Sequence, residues 1–175
     1  MNYDLNRFNP NVFEELIQSL LKKIIGQGTT TFGQGPDGGR EATYEGSAPY
    51  PSETNRWIGK WIFQAKFHNT YENTAYARKE VLKELEVELK KITRNFQKRC
   101  DNYIMATNVS LSSVKDSGTL DKIDQVRTKF KDEISNIHVW GYQEISRYLD
   151  QYEDIRRTYA HLATPGDAIS SLMQG

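Results

Sequence analysis

The sequence predicts an α/β fold, a mixed β-sheet flanked by helices on both faces. Three observations predict it. Segments with helical spacing of apolar residues alternate with short β-rich segments, in the order helix, hairpin, helix, strand, helix, strand, helix, and that alternation builds a sheet covered on both sides. Within residues 57–67 the side chains at 61, 63, 65 and 67 are all apolar, the period-two mark of a strand with one face in a core. The chain has 175 residues, enough for one domain that buries its own core.

Asn9-Pro10 opens the first helix, with Asn as N-cap and Pro preorganised for the first helical position. Phe13, Leu16, Ile17, Leu20, Leu21 and Ile24 then form its apolar face, and Gly26 stops it. Residues 26–40 are rich in Gly and Thr and read as turns leading into a short strand at about 40–45. Residues 46–55, with Pro49 and Pro51, read as a hairpin loop, and the strand 57–67 follows it. Residues 73–99 form the clearest helix, with Leu82, Leu85, Leu89, Ile92 and Phe96 on one side, charged residues elsewhere, and Glu86 spaced to pair with Lys90. Residues 101–111 are apolar enough for a central strand. Residues 121–134 read as helix, 136–142 as a short strand, and 142–162 as one or two helices. Residues 1–163 are thus expected to form the domain, and 164–175, which begin Thr-Pro-Gly-Asp, a linker or tail toward a further domain.

Composition narrows the function. Lys plus Arg and Asp plus Glu are both 23, so attraction to a polyanion must come from a local patch. Mean hydropathy is -0.71, but 11% aromatic residues supply core material. No apolar run approaches a membrane span. The one cysteine, Cys100, excludes an intramolecular disulfide and reads as an ordinary thiol. The first residues lack the basic and apolar regions of a secretory signal, and together these features suggest the cytoplasm. No Gly-x-x-x-x-Gly-Lys-Ser/Thr loop and no zinc-ligand spacing is present.

The chemistry centres on the strand 57–67. Ile62, Gln64 and Lys66 face away from its apolar side. A lysine on the second face of a central strand needs a partner, because its burial alone is costly. An edge strand with one wet face is the simpler alternative. One strand earlier, Gly35-Pro36-Asp37-Gly38-Gly39-Arg40-Glu41 supplies two carboxylates, Asp37 and Glu41. Carboxylate, amide oxygen and lysine across one hairpin suit a hard cation such as Mg²⁺.

Phe13-Glu14, then Gly-x-Asp-Gly-Gly-x-Glu, then Gln64-x-Lys66 resembles the Mrr-like branch of the PD-(D/E)xK restriction-endonuclease superfamily, in motif order over roughly residues 8–110. The resemblance implies a restriction-endonuclease-like sheet and a Mg²⁺-dependent endonuclease, with Mn²⁺ as a substitute, that cuts double-stranded DNA. It implies Glu41 as the metal-binding acid, Gln64 and Lys66 as the Gln-x-Lys pair, and Glu14 as the first-helix glutamate. Glu41 stands where the family usually has Asp, and Asp37 is its rival for the metal. Glu41 is preferred because it lies within the following strand. Glu41 and the Gln64 carbonyl would hold Mg²⁺, with the backbone carbonyl of Ala65, and Lys66 would serve the attacking water. Mrr-like domains occur as effectors of larger antiviral defence proteins, including STAND ATPases, which implies a fused sensor or ATPase domain and clustering into homo-oligomers. A non-catalytic DNA-binding or assembly module on the same fold and an RNA nuclease are the other readings.

Further candidates come from the residues themselves. Arg156, Arg157 and His161 make a basic helical edge that could contact phosphates, and His68 follows Lys66 closely enough to touch DNA. Tyr44, Tyr50 and Trp57 border the expected hairpin loop, where they could stack on nucleic acid or pack the loop. His138, beside Trp140, reads as structural.

Overall fold

The first helix begins where the sequence places it. Asn9 caps it by accepting from the Val12 amide at 2.9 Å, and Pro10 occupies the first turn. The computed structural model describes residues 3–35, 39–70, 73–95, 98–111, 118–163 and 173; the side chains of 160–163 are outside the description. Asp37, the side chain of His161 and nearly all of the expected tail 164–175 therefore lie outside the described residues.

The elements run α1 (Pro10–Ile24), β1 (Gly33–Gln34), β2 (Arg40–Pro51), β3 (Arg56–Lys66), α2 (Thr74–Arg94), β4 (Asn102–Thr107), α3 (Thr119–Phe130), β5 (Asn136–Trp140), α4 (Tyr142–Gln151) and α5 (Glu153–Ala163). The five strands lie in the order β1-β2-β3-β4-β5. The first three are antiparallel neighbours, and β3, β4 and β5 are parallel, so the sheet is mixed. Helices cover both faces. Phe13, Leu16, Ile17 and Leu20 of α1 share one core with Trp61, Phe63, Ile104, Trp140, Ile145 and Leu149. Val81, Leu85, Leu89 and Ile92 of α2 share the other with Ile62, Tyr103, Met105, Ile123 and Ile137. Fully burying a side chain of this size contributes about 1.5–3 kcal/mol each.

The structure corrects four expectations. Strand β2 runs to Pro51, so residues 46–51 are strand rather than loop, and the turn narrows to residues 52–55. Its prolines are tolerated because β1 pairs only with Arg40 and Glu41, which leaves the far end of β2 at the sheet edge. Gly59, opposite Gly46, has φ +123, and a Cβ there would collide with the Asp101 carboxylate that accepts the Lys60 amide at 2.9 Å. The longer strand also changes its aromatics. Tyr50 and Trp57 are buried among Trp61, His138 and Trp140, and Tyr44 packs against Trp61, so none of the three is a loop aromatic. Finally, β3 is the middle strand, and the edge-strand alternative for Gln64 and Lys66 falls. Helix α2 ends at Arg94, short of residue 99, and residues 142–162 divide into two helices at Tyr152.

His138 is part of this aromatic core. Its Nδ1 lies 2.5 Å from the Tyr50 hydroxyl, which also accepts from Trp140 Nε1 at 2.9 Å. Burial, with a smaller contribution from Arg127, pulls its pKa down to about 4. The unfolded chain takes up this proton near pH 6.5 and the folded chain only near 4, so stability falls as pH drops through that window. We expect His138→Gln to flatten the loss of thermal stability between pH 6.5 and 4, measured by circular dichroism melts. Cys100 is buried as well, and burial pushes its thiol up to about 12, which leaves it unreactive.

Candidate active site

Register brings the sequence-predicted residues onto one face. Thr43 pairs with Ile62 across β2 and β3, so Glu41, two residues before Thr43, shares the side of Ile62, Gln64 and Lys66. That side is covered by α2, which delivers Glu84 and Glu88 one turn apart.

Glu88 organises the face. It is 5% exposed, and its carboxylate accepts from Gln64 Nε2 at 2.8 Å and from Lys66 Nζ at 3.3 Å. Burial works against its charge, but the Gln64 hydrogen bond, the Lys66 ammonium and the more distant Lys91 outweigh it and hold the pKa below the usual carboxylate range. The other end of the amide is fixed too. Tyr103 donates its hydroxyl to Gln64 Oε1 at 2.5 Å. Burial, and next the Glu88 charge, raise the phenol far above its ordinary range, so it stays protonated as a donor. The central-strand amide is thereby held in one orientation, and Lys66 projects beside it with a quarter of its side chain exposed.

Glu41 meets a different partner. Lys98, just beyond α2, has a fully buried side chain, and its Nζ lies 2.9 Å from Glu41 Oε2. The contact is an ion pair without hydrogen-bond direction, since Oε2 is buried and accepts no directed bond. The carboxyl group also packs against Gly35, where any side chain would overlap it.

The remaining predicted residues separate. The His68 ring pairs with Glu84, and its amide donates to Asn108 at 2.8 Å, so His68 belongs to the rim of the same face. Glu14 points to the opposite side of the sheet. It accepts three bonds from Arg40, at 2.6, 2.9 and 3.2 Å, next to Glu41 in sequence but across the pleat. Arg156 and Arg157 lie on α5, which packs with α1 on the face away from Lys66. Arg156 donates to the carbonyls of Leu149 and Asp150 at 3.1 and 3.0 Å, closing the end of α4, and Arg157 pairs with Glu153 at 2.7 Å. Both arginines thus have local structural partners and stand apart from the Lys66 face.

Sequence reasoning missed Glu88, Glu84, Tyr103 and Lys98. Glu88 left a signal: it falls on the buried stripe Val81, Leu85, Leu89 and Ile92, where a carboxylate requires a partner from the sheet.

Among the described residues no three carboxylate, imidazole or thiol groups converge as a metal cage. The donors nonetheless fit Mg²⁺ in kind. The Glu41 carboxylate, with its buried Oε2 outside any directed hydrogen bond, and the Gln64 amide oxygen are hard oxygen ligands, and Mg²⁺ retains several waters and needs few protein groups. No family model, curated protein or solved structure matches the chain.

Proposed function

We propose that this chain is a metal-dependent endonuclease domain that hydrolyses phosphodiester bonds of double-stranded DNA. The reading rests on one observation: a partly exposed Lys66 and an oriented Gln64 are held side by side by buried Glu88, on the face that also carries Glu41. The likeness of its motifs to Mrr-like nucleases, and a mixed sheet with helices on both faces, support it.

Glu41 and Gln64 would hold the Mg²⁺, with the Ala65 carbonyl beside them. When bound, the ion would supply charge to polarise the phosphate and acidify a water. Lys66 directs its ammonium at the phosphate oxygen where negative charge develops, and it can orient the attacking water. Glu88 keeps that ammonium in place while leaving part of it exposed to substrate. Glu84 and His68 line the approach. The resemblance further supports a role in the cytoplasm as effector of a prokaryotic antiphage defence protein, joined to a sensor or ATPase domain and active when clustered.

The test is supercoiled plasmid incubated with the protein and Mg²⁺ or Mn²⁺ over a range of protein concentrations. We expect metal-dependent nicking first, with linear product rising at high concentration, since each strand needs its own site. DNA binding without cleavage under every metal would instead establish an assembly module, the reading favoured by the internal engagement of Glu41 with Lys98. Preferential cleavage of RNA would establish an RNA nuclease.

A further inference from the structure

The carboxylates around Lys66 are engaged by lysines of the same chain. Among the described residues, Glu41, Glu84 and Glu88 pair with Lys66, Lys91 and Lys98. Lys98 differs from the other two lysines. Lys66 and Lys91 are 25% and 47% exposed, whereas the Lys98 side chain is completely enclosed. Its Nζ lies 2.9 Å from Glu41 Oε2, a direct ion pair within the interior. Gly35 packs against the same carboxyl group, so Glu41 is covered by chain on one side and by an ammonium on the other.

The geometry points to Lys98 as an internal cation that competes with the divalent metal for Glu41. This rests on the assignment of Glu41 as the metal-binding acid. A dication approaching Glu41 meets an acid already neutralised and a like charge within one van der Waals contact. Metal binding must therefore move the Lys98 ammonium off Oε2, and part of the binding free energy is spent on that displacement. The site is weak for metal when the domain is alone. A rearrangement of the chain that draws Lys98 away from Glu41 strengthens it.

Lys98→Met keeps an unbranched chain one atom shorter and removes its charge; Lys98→Gln is a second variant in case the first does not fold. Mn²⁺ and Mg²⁺ affinities are read by isothermal titration calorimetry, with Glu41→Gln as the control, and folding is checked by circular dichroism. We expect Lys98→Met to bind Mn²⁺ at least ~10-fold more tightly than the native chain, about the effect of removing one nearby like charge, and to gain more thermal stability from the metal. In the native protein, reductive methylation read by mass spectrometry should leave Lys98 unmodified without metal and modify it at saturating Mn²⁺. Equal or weaker binding in both Lys98 variants, or a Lys98 that stays protected with metal bound, would overturn the inference and leave the metal-site assignment standing. No metal binding in native chain or variants, or binding unchanged by Glu41→Gln, would overturn both.

Discussion

Lys66→Ala is expected to lower the rate of plasmid nicking by about 10²–10³-fold while the protein stays folded. The magnitude is that of losing one preorganised group aimed at developing charge. The stability expectation comes from what the substitution leaves behind. Glu88 keeps its bond from Gln64 at 2.8 Å and its ion pair with Lys91 at 3.6 Å, so its buried charge is still compensated. Lys66 itself is a quarter exposed, and its removal opens no core cavity. The cost should be on the order of 1 kcal/mol, the worth of one hydrogen bond to a charged group with part of its surface in water. Rate constants from single-turnover nicking, set beside melts of the same preparations, separate the two effects. A folded Lys66→Ala protein that cuts at the native rate would exclude this face as the catalytic centre. Lys66→Arg should not restore activity, because the planar guanidinium cannot take the place of a compact ammonium between Glu88 and the substrate.

The contrast between these residues shows where the sequence is legible. The alternation around Gln64 and Lys66 reports the strand and both of its faces directly, since side-chain direction is a local property of an extended chain. The helical cap at Asn9 is equally local. Partners are not local. Glu88 lies 24 residues from Gln64, and its role depends on how α2 lies across the sheet, which periodicity does not fix. A carboxylate on an otherwise apolar stripe marks that something must answer it, without saying what. Lys98 carries no mark at all: it follows the end of a helix among charged neighbours, and only the packing of that segment beneath Glu41 gives it a role. Arg156 illustrates the converse. A basic helical edge reads as a phosphate contact until the fold supplies the carbonyls of Leu149 and Asp150 that it closes. The hairpin was misjudged for a related reason. Proline content argues for a loop, yet prolines at the sheet edge cost no ladder bond.

Glu41→Ala should behave unlike Lys66→Ala, and its main effect should be on folding. Glu41 is 9% exposed and Lys98 2%, so deleting the acid removes a carboxylate paired at 2.9 Å with an ammonium in the interior. Breaking one side of a buried pair costs about 3–5 kcal/mol, much of it the penalty of the charge left alone. In a chain of this length that corresponds to a melting temperature lower by roughly 10 °C. Removing the second charge should recover most of the loss, because an apolar pair of similar volume is often as stable as the ions it replaces. The expected order of melting temperatures is therefore native, then Glu41→Ala with Lys98→Met, then Glu41→Ala alone, with a double-mutant cycle giving the coupling. An unchanged melting temperature in Glu41→Ala would mean that this pair is not the buried contact described. The consequence for function is direct: loss of cleavage in Glu41→Ala reports unfolding and chemistry together. Glu41→Gln, which keeps the volume and an oxygen against Lys98, opens no cavity, and its melt set beside its cleavage separates the loss of the metal-binding charge from unfolding.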